Sequence, residues 1–209
     1  MSIVESVDLS FKINLKKIKY FKEKVEMEEE QAALYKLCYD IHFSQVVLNR
    51  GNLKNIARKD FSRFKRSVIR LNQIASNPLL LADSLTLEDI EDDSNEFLYS
   101  NEAQSIIQAI FEKNKNPKID RAVELAEDLS KKNKKCVIWS YFVGTIKLLE
   151  KKLKHLGALS IYGDVKIGDL KDPNSREYRI AKFNDIKSNC KVLIANYAGC
   201  AEGIDLHEA

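Results

Sequence analysis

The sequence predicts an α/β fold in which a helical segment precedes a small parallel sheet with its crossover helices. Apolar residues recur at three- and four-residue spacing through residues 34–129, and from residue 135 short β-branched runs alternate with helical stretches. Only 7 Gly and 3 Pro interrupt the 209 residues, too few for a loop-rich β sandwich. With 44% hydrophobic and 31% charged residues there is apolar material for a core, at one domain or one plus an appendage.

Each element has its own signal. FKEKVEMEEEQ at 21–31 ends in an acidic cluster, which favours a helix start because the N-terminal end of a helix is electropositive. Leu34, Leu37, Ile41, Ser44 and Leu48 then fall on one face, with Gly51 placed to end the helix. Ala57, Phe61, Phe64, Val68, Leu71 and Ala75 form the stripe of a second helix, which Asn77-Pro78 stops. Residues 82–96 are an acidic connection rich in Ser and Asp. Two further stripes follow, Ala103/Ile106/Ile107/Ile110/Phe111 and Ile119/Ala122/Ala126/Leu129. KCVIWS at 135–140, ALSIYG at 158–163 and CKVLIAN at 190–196 read as strands, the first and third as buried on both faces. Between them lie a helix with Ile146, Leu149, Leu153 and Leu156, ending near Gly157, and another with Arg176, Arg179, Ile180 and Phe183. The resulting division is 1–81, helical; 82–117, acidic connection and helix; and 118–209, the sheet-bearing lobe.

The formal net charge of +3 conceals segregation. Residues 1–80 hold 15 basic and 9 acidic side chains, residues 81–117 hold 2 and 9, and residues 118–209 hold 17 and 13. No apolar run is long enough for a membrane helix, and the first residues lack the basic-then-apolar pattern of a signal peptide. The four cysteines show no CxxC pairing and read as reduced core residues, so a cytoplasmic protein is expected. His42, His155 and His207 are not in metal-ligand spacing, and no nucleophile with its base stands out. No metal site and no self-contained catalytic residue is expected.

Three places carry possible chemistry. The loop NYAGCAEGID at 196–205 follows a strand, and in parallel sheets ligands bind beyond the carboxyl ends of strands. Its small residues, Gly199 and Gly203 among them, let a phosphate approach backbone amides, and Asp205 could accept from a ribose hydroxyl; a tight turn needs small residues equally. Ser140 leaves its strand at the same edge, as a phosphate ligand or a helix cap. Lys54, Arg58, Lys59, Arg63, Lys65, Arg66 and Arg70 make the second helix basic, as a track for a phosphate backbone or as a solvated face. No GxxxxGK[ST] phosphate loop occurs.

Five strings, RLNQIASNPLLL (70–81), CVIWSYFVGTIKLLEKKL (136–153), Tyr162-Gly163, REYRIAKFN (176–184) and KVLIANYAGCAEGIDL (191–206), together resemble the second half of Swi/Snf-type ATPases. These are DNA-dependent translocases among the superfamily-two helicases. The resemblance runs from about residue 20 and keeps the family's order of motifs. It implies a helical bridge followed by an incomplete RecA-like second lobe. It assigns Ser140 and Tyr141, in the fourth helicase motif, to the tracked DNA strand, with Asn196, Tyr197 and Gly199 of the fifth motif on its phosphates. The bridge arginines Arg63, Arg66 and Arg70 join them, while Glu202, Gly203 and Asp205 face the nucleotide.

The implied cofactors are ATP and Mg, held between two lobes, and the implied partners are double-stranded DNA and a first RecA-like lobe. Asn196-Tyr197 stands where many members carry Ser-Thr, and Asp205 where Asn is common. The sixth motif and the first lobe are absent from this sequence, so the chain is expected not to hydrolyse ATP by itself, and an unpaired sheet edge is expected to favour self-association. The rival expectations are a helicase-like interaction module without catalysis and a small nucleotide-binding enzyme complete in itself. The missing phosphate loop weighs against the last.

Overall fold

The computed structural model describes residues 19–48, 58–83, 98–197 and 205–207. Helix α1 (Glu29–Leu48) begins on the acidic pair Glu29 and Glu30. Helix α2 (Arg58–Ser76) stops at Asn77-Pro78, and α3 (Leu80–Asp83) is one turn beyond it. Ser100 caps α4 (Asn101–Lys113) by accepting from the Ala103 amide at 3.1 Å, and Asn114, at φ 47°, ends it.

These helices close around Leu34, Cys38, Leu71, Ile74, Leu81 and Ile110. The α4 helix of the acidic connection therefore shares the core of the first 81 residues. Of the predicted stripes, Leu34 and Leu71 are buried and Leu37 packs against this core, while the side chains of Ser44, Leu48, Ala57, Phe61 and Phe64 lie outside the described residues. On α1, Leu34 and Cys38 are inside while Ile41 is exposed; on α2, Ser67, Arg70, Leu71 and Ile74 are inside while Val68 is exposed. A polar bond draws Gln31 inwards. Pro78 has no N–H to give the Ile74 carbonyl four residues earlier, and Gln31, only 4% exposed, supplies the donor from α1 at 2.6 Å.

The second core belongs to the sheet. Pro117 opens α5 (Pro117–Lys131), capped by Asn116, whose Oδ1 accepts from the Ile119 amide at 3.3 Å. Then come β1 (Cys136–Ser140), α6 (Val143–Lys152), a 3-10 turn (Lys154–Leu156), β2 (Leu159–Ile161), α7 (Arg176–Asn184) and β3 (Val192–Asn196). The strands are parallel in the order β1-β3-β2, with Cys136 opposite Val192, Ser140 opposite Asn196 and Ile161 opposite Ala195. Alternation sorts the layers. Val192 and Ile194 meet Ile119, Ala126, Ile146 and Leu149 of α5 and α6, whereas Leu193 meets Phe183 of α7 on the other face.

Of the described strands, only β3 is buried throughout. The predicted double burial of β1 is corrected: it is an edge strand of this sheet, half-buried, with Trp139 41% exposed. An apolar run marks a strand that touches a core, but position in the sheet decides whether both faces are covered. The two cores meet through a buried amide pair, Asn116 Nδ2 donating to Asn77 Oδ1 at 3.1 Å. This bond joins the end of α2 to the start of α5.

Gly157 shows why a glycine follows the 3-10 turn. Its φ is +64°, and an added Cβ would lie 2.6 Å from the Asn189 carbonyl oxygen. Gly157→Ala is expected to destabilise the fold by at least roughly 1–2 kcal/mol, the left-handed penalty alone. An unchanged urea midpoint would contradict this.

Cys38, Cys136 and Cys190 are free thiols, and Cys200 lies outside the described residues. Burial pushes Cys38 up to about 12, against a smaller opposing pull from Arg70, and Cys136 up to about 11; it raises Cys190 as well. A raised thiol pKa favours the fold below the ordinary value of 9.0, and that contribution is lost as pH climbs towards 11–12. These three thiols are expected to resist a thiol reagent in the native protein near neutral pH and to react promptly in urea. Equal labelling in both conditions would show the burial to be wrong. No helix among the described residues is long and apolar enough to cross a membrane.

Candidate functional site

Because β1 and β3 are parallel and in register, Ser140 and Asn196 leave the sheet side by side. The chain after β1 turns at once into α6. Ser140 Oγ accepts from the Phe142 amide at 3.3 Å, so the hydroxyl shapes the turn that starts the helix. Asn196 is 7% exposed, and its Nδ2 donates to the carbonyls of Ser140 at 3.2 Å and Tyr141 at 2.7 Å. Its amide group braces the two strand ends instead of projecting towards solvent. Sequence spacing brought Ser140 and Asn196 to one edge; it did not reveal that each is engaged with the backbone there.

The aromatic residues of this edge face outwards. Trp139 stacks on Tyr197 with ring centroids 5.1 Å apart, and Tyr141 meets Phe142 edge-on at 5.3 Å. Tyr141 is 71% and Tyr197 61% exposed. Aromatic faces left open at a strand edge suit stacking with a planar ligand.

Beside them lies a cleft of about 500 Å³ between the two cores. Ile119, Ile138 and Leu149 give it an apolar lining; Ile69, Asn72 and Ser76 of α2 form the opposite wall. Lys118 and Tyr141 also line it, and Lys118 has no carboxylate partner among the described residues. The bond between Asn77 and Asn116 fixes the ends of the two helices that bound this space.

The start of α6 is polar and incompletely satisfied. Phe142 occupies the cap position and offers no side-chain acceptor. The Ile146 amide reaches the Phe142 carbonyl at 3.1 Å, while those of Val143, Gly144 and Thr145 have no acceptor among the described residues. Thr145 lines the cleft, is 4% exposed, and its Oγ1 has no hydrogen-bond partner among the described residues. Spacing singled out neither Thr145 nor Lys118. Their significance lies in a helix start and a neighbouring core that come together only in three dimensions.

The other expected site residues are dispersed. Arg70 is 9% exposed, and its Nη1 donates to Gln73 Oε1 at 3.0 Å. Its position beside the Cys38 thiol puts it on the side of the helical core. Arg66 is exposed; the backbone of Arg63 belongs to α2, but its side chain lies outside the described residues. Lys65, four, seven and eleven residues before Ile69, Asn72 and Ser76, continues the cleft-facing side of α2.

Gly199, Glu202 and Gly203 lie outside the described residues. Asp205 is described: its exposed carboxylate is 3.4 Å from His207 Nδ1, and its backbone carbonyl accepts from Asn184 Nδ2 at 2.9 Å. Among the described residues no group of three or more His, Cys, Asp or Glu could hold a metal ion.

Asn196→Ala is expected to cost roughly 2 kcal/mol, from two hydrogen bonds at about 1 kcal/mol each. It should also disturb the Trp139–Tyr197 stack, read as a change in tryptophan emission. A variant of unchanged stability and emission would contradict the bracing role.

In comparison with known proteins, the chain matches no family model and no curated protein.

Proposed function

We propose that this chain forms the nucleic-acid-contacting part of a two-lobed, DNA-dependent ATPase of the Swi/Snf type, with a helical bridge leading into a RecA-like second lobe. One observation carries the reading. The carboxyl edge of a parallel sheet gathers Ser140, Tyr141, Asn196 and Tyr197 beside a cleft whose other wall is the basic helix α2. In such sheets that edge is where ligands bind.

The lobe contributes DNA-phosphate contacts and one side of an ATP cleft. Of the nucleotide-facing group, only Asp205 is described, and it engages His207 in an exposed position. By the same resemblance, ATP and Mg lie between this lobe and a partner lobe. The two lobes act by closing on the nucleotide and shifting their grip on DNA.

A second reading, a helicase-like interaction module without catalysis, is favoured by Asn196. The side chain at the front of the fifth motif is committed to the protein's own backbone. The readings separate on one point. Joined to a lobe that carries a phosphate loop, a motor part supports DNA-stimulated ATP hydrolysis, and an interaction module does not.

Duplex DNA binding is expected to be weak and steeply salt-dependent. Reversing Lys65 and Arg66 to Glu should lower affinity about tenfold or more and reduce the salt slope by about one per lost phosphate contact. Fluorescence anisotropy against salt concentration checks this. Salt-independent binding, or none at low salt, would remove the proposal.

A further inference from the structure

The geometry points to a site for a single unpaired nucleotide: its phosphate at the start of α6 and its base in the apolar cleft beside the edge aromatics. This rests on the reading of the cleft as a nucleic-acid face, but not on the motor assignment.

The phosphate end is built from two independent features. The first turn of a ten-residue helix presents the amides of Val143, Gly144 and Thr145 without acceptors among the described residues. Such a turn attracts anions through its free N–H groups and its partial positive charge. Thr145, a residue only 4% exposed that lines the cleft, adds a buried hydroxyl without a partner among the described residues. The usual local remedy is a bond back to the carbonyl four residues earlier, but that carbonyl, of Tyr141, already takes the Asn196 amide at 2.7 Å. Threonine in a helix adopts either of two χ1 rotamers, so the hydroxyl can turn to a ligand without backbone movement. Lys118, on the facing helix α5, supplies a positive charge to the same space.

The rest of the cleft does not suit an inorganic anion. Its lining is mainly apolar, and about 500 Å³ is within the usual range of roughly 300–1,000 Å³ for small-molecule sites. Tyr141, exposed at the rim, offers a face on which a base can stack. A base within a duplex is already stacked and paired, so only an unpaired one can enter. A phosphate bound at one end and a planar apolar group at the other are the two halves of a nucleotide.

Trp139 is the only tryptophan of the chain and belongs to the cleft lining, so its emission reports binding directly. A short single-stranded oligothymidine is titrated, with a duplex of equal length and inorganic phosphate measured alongside. Saturable quenching by the single strand, clearly tighter than by the duplex, is expected. Thr145→Val should weaken it about tenfold, as for a lost hydrogen bond to a charged group, while Thr145→Ser keeps most of the affinity. Melting temperature should not fall in Thr145→Val, because the hydroxyl it removes has no partner among the described residues.

Equal affinity for single strand and duplex, phosphate saturating as well as the oligonucleotide, or indifference to Thr145→Val would each overturn the inference. Duplex binding with its salt slope intact would still leave the function proposed above standing.

Discussion

A fully buried parallel strand needs a hydrogen-bonded neighbour on each side, and β3 obtains both from short strands that precede it in sequence. That constraint sets the geometry of everything at the carboxyl edge. With Cys136 opposite Val192, β1 and β3 finish together at Ser140 and Asn196. Asn196 then uses its amide to hold the turn that leads from β1 into α6. The start of α6, the rim aromatics and the opening of the cleft all inherit their positions from this pairing.

The cleft lies between two cores that a buried amide pair links. Leu34, Leu71, Ile74 and Ile110 hold the helices, and Ile119, Ile146, Val192 and Ile194 hold one face of the sheet. Between them the buried pair of Asn77 and Asn116 bonds the end of α2 to the cap of α5. A polar junction fixes orientation through directional bonds, where a continuous apolar contact would have filled the space. Surface ion pairs such as Lys152 with Asp120, at 2.9 Å, add little by comparison because water screens them.

The strands were legible in the sequence because β-branched runs of five or so residues have few other uses, and their alternation with helical stretches leads to a parallel sheet. The helix-stopping role of Asn77-Pro78 was legible for the same local reason. The inward turn of Gln31 and Arg70 was not. A stripe read from one helix ignores its neighbours, and here Gln31 and Arg70 turn inwards while Ile41 and Val68 remain outside.

At the site, Ser140, Tyr141, Asn196 and Tyr197 could be brought to one edge by the rule for parallel strands. Their hydrogen bonds could not, because the Asn196 amide serves carbonyls some 55 residues away. Thr145 lay hidden within an ordinary amphipathic helix.

The most direct test of this account is amide hydrogen exchange, residue by residue, in the native protein. The amides of Val192–Asn196 are expected to be among the slowest to exchange, opening only with the whole sheet-bearing core. If β3 exchanged as readily as the exposed segment around Ile167 and Leu170, the strand would not be the buried centre of the fold, and the edge built upon it would lose its foundation.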